Sequence, residues 1–492
     1  MIKNKNLFKN IGIATFSQII SIIYSIFIKK LCLLYFPIEL VGINTLFDSF
    51  FRGLSFFDIG FSVLLGVALY KTLNKNQVNE SIIELRFFKT IYYRLALFLL
   101  ILGALSSFLV IEFVDISGEY IGAVYIVYFV QLLELVLRFI LMYKINILMF
   151  VQRSYIVSYL TILVNFIAFI IKGVAIYKYN NFIVFYCSSI FSIILINIFT
   201  VVFVNRYFPR FKNIKCLNFI EFKSQFKFVN FSKFIPKAIY NVVYTLMDNL
   251  IISFMFSLSS LAYISNYKML FGSISLFINN VRPNTESFIA NKLYTTNDSG
   301  FILFQKLTRY TISLTILVFT GFFLLADPFI ELLFGKEYIL NNNILFYMSA
   351  TISITTFLII YECFINIKGL AIYESNYLLI ASVLNAISTI FLAKYSGIEG
   401  VYLATFITSL YILHTKISII CHNLFKIEKA QIYRMLIGDI LVVIFFSASI
   451  ILIINSLTYS NSLIINFIIK SVFIMLLNCI CLVLNLKLRK TI

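Results

Sequence analysis

Long apolar runs, most of them close to 20 residues or longer, recur from Ile11 to Leu486. The hydrocarbon core of a bilayer is about 30 Å thick, and a helix needs about 20 apolar residues to cross it. Only helices and closed barrels satisfy their backbone polar groups inside lipid. A barrel would show alternating segments of about ten residues, whereas these runs are continuous and rich in Ile, Leu and Phe. The pattern therefore predicts an all-α, polytopic integral membrane protein.

The runs divide into about fourteen predicted spans. A polar, basic stretch after the sixth span separates six spans from eight. This organisation predicts an N-terminal six-helix lobe, a basic linker, a second six-helix lobe and two additional helices, at residues 1–205, 206–233, 234–420 and 421–492. The spans themselves are predicted near residues 11–33, 40–69, 91–113, 120–142, 155–177, 182–204, 235–257, 261–290, 310–334, 343–366, 373–393, 397–419, 436–456 and 463–486.

Composition and charge agree with this class. Charged residues are 12% and hydrophobic residues 61% of the 492 positions, whereas soluble domains carry roughly 25% charged residues. The formal net charge is +19. With the N-terminus inside, about 26 Lys and Arg residues fall on the cytoplasmic side and about five outside, the bias expected of cytoplasmic loops. The five residues predicted outside are Lys29, Lys30, Lys178, Lys336 and Lys394.

This topology explains most of the positive charge, so nucleic acid is not expected as a partner. The seven cysteines lie mostly within apolar runs and show no metal-ligand spacing, which predicts small core residues rather than a zinc site or a disulfide framework. The two histidines, His414 and His422, lie at or beyond the inner end of one span, which argues against a histidine proton relay. We therefore expect no metal and no cofactor.

Ionisable residues inside spans are costly and usually face a cavity or a partner. They concentrate in spans two, four, five, seven and eight, so these helices are predicted to surround a polar interior. The cationic candidates for a substrate cavity are Arg52, Arg138, Lys172, Lys268 and Arg282. The candidate cavity carboxylates, which could also carry H+ or Na+ as a coupling ion, are Asp48, Asp58, Glu134, Asp248 and Glu286.

Spacing separates two kinds of candidate. Asp48 and Arg52, Glu134 and Arg138, and Arg282 and Glu286 stand at i,i+4, where side chains meet on one helix face; each pair has either a substrate role or only mutual neutralisation. Lys172 and Lys268 have no opposite charge at i±3 or i±4, which favours a cavity role. Other charges near span ends, Arg94, Lys237 and Lys416, are interpreted as snorkelling to the interface.

Six segments resemble the Wzx-type polysaccharide flippases. Phe36 to Asp48, continuing through Leu54 to Gly60, is similar to their pattern across spans one and two, with Asp58 where those proteins often have Glu. Two later pairs are also similar, residues 247–253 with 261–267, and 327–330 with 333–338. The resemblance covers roughly residues 8–425, and each motif alone is loose.

The resemblance implies the multidrug/oligosaccharidyl-lipid/polysaccharide flippase superfamily, with two six-helix lobes around a central cavity and two extra helices, a MATE-like fold. It also implies translocation of undecaprenyl-pyrophosphate-linked oligosaccharide repeat units across the bacterial inner membrane by alternating access, for O-antigen or capsule synthesis. Both termini would be cytoplasmic. The partners would be the lipid-linked oligosaccharide, the bilayer, and the polymerase and chain-length proteins of the same pathway.

Two other functions remain open. A membrane polysaccharide polymerase or glycosyltransferase has similar hydropathy, but the outward loops here are short and show no catalytic constellation. A multidrug exporter of the same superfamily would be expected to have an acidic cavity for lipophilic cations, whereas the charges in these spans are mixed to basic. A non-enzymatic transporter is therefore the prediction.

Overall fold

The protein is all-helical throughout the part that the computed structural model describes, and no strand occurs among those residues. The described residues are 4–55, 65, 78–112, 120–150, 153–179, 181–218, 221, 235–295, 300–456 and 462–488. Asp58 and the second half of the second predicted span lie outside them. The fold prediction of a polytopic all-α membrane protein is confirmed.

Fourteen α-helices make up the described chain. Their bounds are α1 Asn4–Tyr35, α2 Ile38–Ser55, α3 Val78–Glu112, α4 Ile121–Phe150, α5 Ser154–Tyr179, α6 Phe182–Tyr207, α7 Ile235–Met255, α8 Leu258–Thr295, α9 Gly300–Phe334, α10 Asn342–Phe357, α11 Ile359–Ile367, α12 Ala371–Ile419, α13 Lys429–Ser456 and α14 Leu463–Leu488.

Each of the fourteen predicted spans overlaps a described helix, although the helices and the spans do not correspond one for one, and apart from residue 65 the second span is described only as far as Ser55. Helices α10 and α11 together form one span, Asn342–Ile367. Helix α12 holds two, because its backbone leaves helical geometry at Gly397, where φ is +65°. Ten described segments are long and apolar enough to cross a membrane. The predicted spans that do not reach this criterion correspond to α2, α7 and α8, three of the helices in which charged positions concentrate.

Large apolar side chains cover the outside of several helices. Phe16 on α1 is 58% exposed and Leu452 on α13 is 70% exposed. Such extensive apolar exposure is unfavourable in water, and it suits a surface that faces lipid. By contrast, 72% of the span formed by α10 and α11 is buried within the protein.

The chain divides into two compact units, Met1–Ala262 and Tyr263–Ile492. In the first unit, α3 packs on α4, α1 on α5, α6 on both α4 and α5, and α7 on α2. In the second unit, α9 packs against α10, α13 and α14, and α10 packs against α12. The first unit therefore includes α7. Compactness does not itself define a transport lobe, so the division into lobes at residues 206–233 stays a prediction.

Glycine permits the close approach of α2 to its neighbours in the first unit. A Cβ added at Gly42 would lie 2.1 Å from the backbone oxygen of Leu258, and one added at Gly53 would lie 2.7 Å from Cδ1 of Leu246. Between these contacts, the side-chain amide of Asn249 on α7 donates a hydrogen bond to Oγ of Ser49 on α2. Helix α2, which carries Asp48 and Arg52, is therefore held at a fixed distance from α7.

We expect Gly42→Ala to lower the thermal midpoint of the purified protein, because the new methyl group must displace the backbone of Leu258. Overpacking of this kind costs about 1–3 kcal/mol. Circular dichroism at rising temperature measures the effect. Gly321→Ala, in α9, is the matched control, because nothing lies within 4 Å of its added Cβ. Equal midpoints for the two variants would contradict the close approach.

Candidate functional site

Three charged side chains from three helices of the first unit meet around Cys32 and Tyr186. Lys29 of α1 interacts electrostatically with Asp48 of α2, and Cys32 lies within range of both Lys29 and Lys172 of α5. Tyr186 of α6 lies within range of Cys32 and Asp48. Lys29, counted above among the outward loop charges, therefore lies inside a helix and belongs to the same polar cluster as two of the predicted site residues.

Lys172 is a cation without an ion pair among the described residues. Its Nζ lies 5.0 Å from the ring centroid of Phe185, a cation–π contact of moderate strength. Arg52 is exposed on α2, and no ion pair within the described ranges joins it to Asp48 four residues earlier. The i,i+4 spacing therefore places these two side chains on one face without neutralising them.

The second predicted pair in this unit does form. Nη2 of Arg138 donates to Oε1 of Glu134 at 3.0 Å along α4. One turn earlier, Nε2 of Gln131 donates to Oδ1 of Asn44 at 2.9 Å and links α4 to α2. Polar side chains therefore continue along adjacent faces of α2 and α4.

Asp248 is buried on α7. It lies within electrostatic range of Tyr244, one turn earlier on the same helix. Among the described residues of this unit, the mid-span charges include the cations Lys29, Arg52, Arg138 and Lys172 and the carboxylates Asp48, Glu134 and Asp248; the predicted carboxylate Asp58 lies outside the described residues. The mid-span charges of the first unit are therefore mixed in sign.

The second unit neutralises its charges in a chain of ion pairs. Arg282 of α8 pairs with Glu362 of α11. Oε1 of Glu362 lies 3.0 Å from Nζ of Lys416, and Lys416 also donates to Glu374 at the start of α12. The side chains of Lys416 and Glu374 are each 5% exposed. This network joins α8, α11 and both ends of α12.

Two sequence interpretations are wrong here. Arg282 pairs with Glu362 across helices rather than with Glu286 along its own helix; Glu286 instead accepts a hydrogen bond of 2.8 Å from Nδ2 of Asn366. Lys416 does not snorkel to the interface. It is buried, because two carboxylates, Glu362 and Glu374, reach it inside the protein and compensate its desolvation.

Lys268 of α8 lies beside Tyr402 of α12, with Nζ 5.6 Å from the ring centroid. Tyr402 is buried and Lys268 is half-buried. The contact holds the amino group against an aromatic face within the second unit, and the cavity role of this lysine stays a prediction. Lys237 lies among residues whose side chains are outside the described set.

Several polar residues were missed by the sequence reasoning. Glu374 pairs with a lysine 42 positions away, a separation that no helical spacing reveals. On α9, Asp327 accepts a hydrogen bond from the hydroxyl of Tyr267 and lies within electrostatic range of Lys470 on α14. Lys470 stands well inside an apolar run, so its position in the sequence alone could have identified it.

No group of three or more His, Cys, Asp or Glu side chains within the described ranges could hold a metal ion. Every cysteine described there is a free thiol.

The fold is shared with solved membrane transporters. The lipid II flippase MurJ, in an inward closed conformation, matches with a TM-score of 0.64 and 18% identity over 96% of this chain and 97% of its own. An inward-facing multidrug resistance MATE transporter of the MOP superfamily matches with a TM-score of 0.65 and 13% identity over 82% of this chain and 96% of its own.

A mutant of the Vibrio cholerae MATE transporter VcmN gives a TM-score of 0.58 at 10% identity, covering 85% of this chain and 97% of its own. No protein-family model and no curated protein sequence matches the chain. The chain therefore has the fold that MurJ and the MATE transporters share.

We expect Lys416→Met to destabilise the protein strongly, because it leaves Glu374 buried without its cation and removes one of the cations that pair with Glu362. Removing one partner of a buried ion pair costs about 3–5 kcal/mol. The thermal midpoint by circular dichroism measures the loss. Lys394→Met, an exposed position on the same helix, is the control.

A Lys416→Met/Glu374→Met double variant should recover part of the lost stability, because it removes the uncompensated carboxylate. Similar midpoints for Lys416→Met and Lys394→Met would show that the network does not stabilise the second unit.

Proposed function

We propose that this protein is a flippase that moves undecaprenyl-pyrophosphate-linked oligosaccharide repeat units across the bacterial inner membrane for surface polysaccharide synthesis. The observation that carries the proposal is the pair of cations in the first unit, Arg52 and Lys172, that no described carboxylate neutralises. A cation inside a membrane protein is costly unless an anion accompanies it. A pyrophosphate that enters the protein during transport provides that anion.

The fold supports a transporter rather than an enzyme. MurJ is a lipid II flippase, and the match to it covers nearly the whole of both chains. We infer from this likeness that the chain is a flippase of the MOP superfamily and not an enzyme. The motifs similar to Wzx-type proteins then favour a polysaccharide repeat unit as the cargo, O-antigen or capsule.

The side chains suit a pyrophosphate chemically. Arg binds phosphate oxygens through a planar fork, while Lys acts as a compact point charge. In this proposal Arg52, Arg138, Lys172, Lys268 and Arg282 are the cationic candidates. Arg138 and Arg282 already have carboxylate partners, Glu134 and Glu362, so substrate would have to compete with those carboxylates. Arg52 and Lys172 are the first contacts that we propose.

The carboxylates have a second role in the proposal. Asp48, Asp58, Glu134, Asp248 and Glu286 balance the cavity charge and carry the coupling ion, H+ or Na+. Asp48 is the best placed of them, because it is exposed and lies within electrostatic range of Lys29. Protonation or Na+ binding at Asp48 would remove one negative charge near Lys29 and so strengthen the local attraction for an anion, which links ion binding to substrate binding.

Export of multidrug substrates is the second candidate, because MATE transporters share this fold. A site for lipophilic cations should be acidic, whereas the mid-span charges of the first unit are mixed in sign. A polysaccharide polymerase or glycosyltransferase is the third candidate, and the transport experiment below separates it from a flippase.

The proposed topology places both termini and the basic linker in the cytoplasm. Cys216 in the linker is an exposed free thiol. We expect a membrane-impermeant maleimide to leave Cys216 unlabelled in right-side-out spheroplasts and to label it after permeabilisation. Lys336→Cys in a Cys216→Ser background is the control and should be labelled without permeabilisation. The side chain of Lys336 is 82% exposed. Labelling of Cys216 in intact spheroplasts would indicate the opposite topology, with the basic linker outside the cell.

The transport role is tested by deletion and complementation in the host. We expect the deletion to abolish surface polysaccharide and to accumulate lipid-linked repeat units inside, and the wild-type gene to restore export. Lys172→Ala should restore at most about a tenth of wild-type export, since loss of one charge-assisted phosphate contact costs about 1.5–3 kcal/mol. The matched control is Lys178→Ala, an exposed lysine at the end of the same helix.

Expression of each variant is checked by immunoblot of the membrane fraction. Full rescue by well-expressed Lys172→Ala would remove this lysine from the substrate site. If single repeat units reach the periplasmic face in the deletion strain, translocation does not need this protein and the polymerase candidate replaces the flippase. The polymerase and chain-length proteins of the pathway are proposed as partners only if the experiment identifies this protein as the flippase.

A further inference from the structure

The chain after α6 folds back onto α3 in the first unit. Nζ of Lys89 donates to the backbone oxygen of Ile214 at 2.7 Å, and the backbone N–H of Leu217 donates to Oγ1 of Thr90 at 2.9 Å. Three apolar side chains of this segment, Phe211, Ile214 and Leu217, are buried. The segment 208–218 is therefore a packed part of the first unit rather than a free linker.

Two lysines lie close together beneath this segment. Lys144 of α4 is only 5% exposed, and Lys89 of α3 is half-buried and within electrostatic range of it. Nζ of Lys144 donates to Oδ1 of Asn205 at 3.2 Å, and no carboxylate within the described ranges forms an ion pair with either lysine. Two neighbouring cations, one buried and one half-buried, repel each other and lose hydration, so their placement favours an anion.

The chain itself offers little to neutralise them. Between Asn205 and Phe234 the only acidic residue is Glu221, and it lies 3.5 Å from Nη2 of Arg86 in an ion pair of its own. Nε of Arg86 is buried and has no hydrogen-bond partner in the described part of the chain. A donor that is buried without a partner points to a missing acceptor.

Two tyrosines complete the surroundings of Lys89. The ring centroids of Tyr93 and Tyr143 lie 5.4 Å and 6.0 Å from its Nζ. No described residue hydrogen-bonds to either hydroxyl. Tyr143 is buried, whereas Tyr93 is 40% exposed, so the group opens to the surface on the side of Tyr93.

An apolar stripe continues from this opening along α3. Leu97, Ile101 and Leu105 follow Tyr93 at intervals of four residues and are 58%, 53% and 64% exposed. Residues at this spacing line one face of a helix. The cationic group therefore lies at the head of a lipid-facing stripe, where a lipid would place its phosphate above its acyl chains.

We propose that Lys89, Lys144 and Tyr93 bind the phosphate of an anionic membrane lipid in the leaflet next to the 208–218 segment. Lys89 and Tyr93 contact the phosphate, and buried Lys144 supplies a fixed positive field behind them. The exposed Arg206, Arg210, Lys212 and Lys215 add a general attraction for an acidic leaflet. The site uses none of the proposed transport residues, so the inference does not depend on the transported substrate.

Native mass spectrometry of the full-length protein, purified in detergent, tests the site with phosphatidylglycerol and phosphatidylcholine as probes. We expect the wild type to retain phosphatidylglycerol preferentially. Lys89→Gln/Lys144→Gln should weaken its retention about tenfold, as expected when charge-assisted contacts are lost. Lys212→Gln/Lys215→Gln removes two exposed charges from the same segment and is the matched control, with at most about a twofold effect.

Three results would overturn the proposal: equal retention of both lipids by the wild type, an equal loss in the control pair, or displacement of phosphatidylglycerol by inorganic phosphate at equal concentration. The second would indicate diffuse surface charge and the third a site for free phosphate. If Lys89→Gln/Lys144→Gln does not fold, Tyr93→Phe and Lys89→Gln are measured singly and should each weaken retention. Lys172→Ala should keep lipid retention while losing export, which separates this site from the transport site.

Discussion

A charge inside a membrane protein needs a partner, and this constraint organises the whole chain. In the second unit the partners are built in. Lys416 is buried between Glu362 and Glu374, and Arg282 extends the chain of alternating charges to α8. In the first unit the described side chains do not neutralise every cation, because Arg52 and Lys172 have no carboxylate partner among the described residues. A cation within a membrane span is costly without an anion, so these two positions favour the proposed anionic ligand, which arrives and leaves during transport.

The segments that resemble polysaccharide flippases act mainly in packing. Gly42 and Ser49 of the first segment meet Leu258 and Asn249 in the first unit. In the second unit, the hydroxyl of Tyr267 donates to Asp327 and accepts a 3.2 Å hydrogen bond from the backbone N–H of Leu340. These residues set distances between helices and the course of one loop. These contacts therefore stabilise the fold, which agrees with structural matches to both MurJ and MATE transporters.

Much of the fold could be predicted from hydropathy, because helical spans are the simplest way to satisfy the backbone in lipid. The candidate sites were less predictable. Spacing at i,i+4 identified the pair of Glu134 and Arg138, whose partners share one helix, but failed for Arg282, whose partner Glu362 is 80 residues away. Lys416 shows the same limit: its place near a span end suggested snorkelling, while its burial depends on carboxylates from other turns of the chain. Contacts over such separations follow from packing, which no local pattern contains.

The difference between compensated and uncompensated charges also bears on coupling. A fully paired network such as that of Lys416 resists change, since protonation of Glu374 would leave a buried cation with less compensation. The cluster of Lys29, Asp48 and Lys172 has two cations for one carboxylate, so a proton or Na+ at Asp48 would raise its positive charge and its attraction for a pyrophosphate. Ion binding and substrate binding would then favour each other at this cluster, and release of the ion would favour release of the substrate. Reciprocal coupling of this kind follows from linkage alone. In this scheme the cluster in the first unit changes its charge during transport, and the ion pairs of the second unit stabilise the fold.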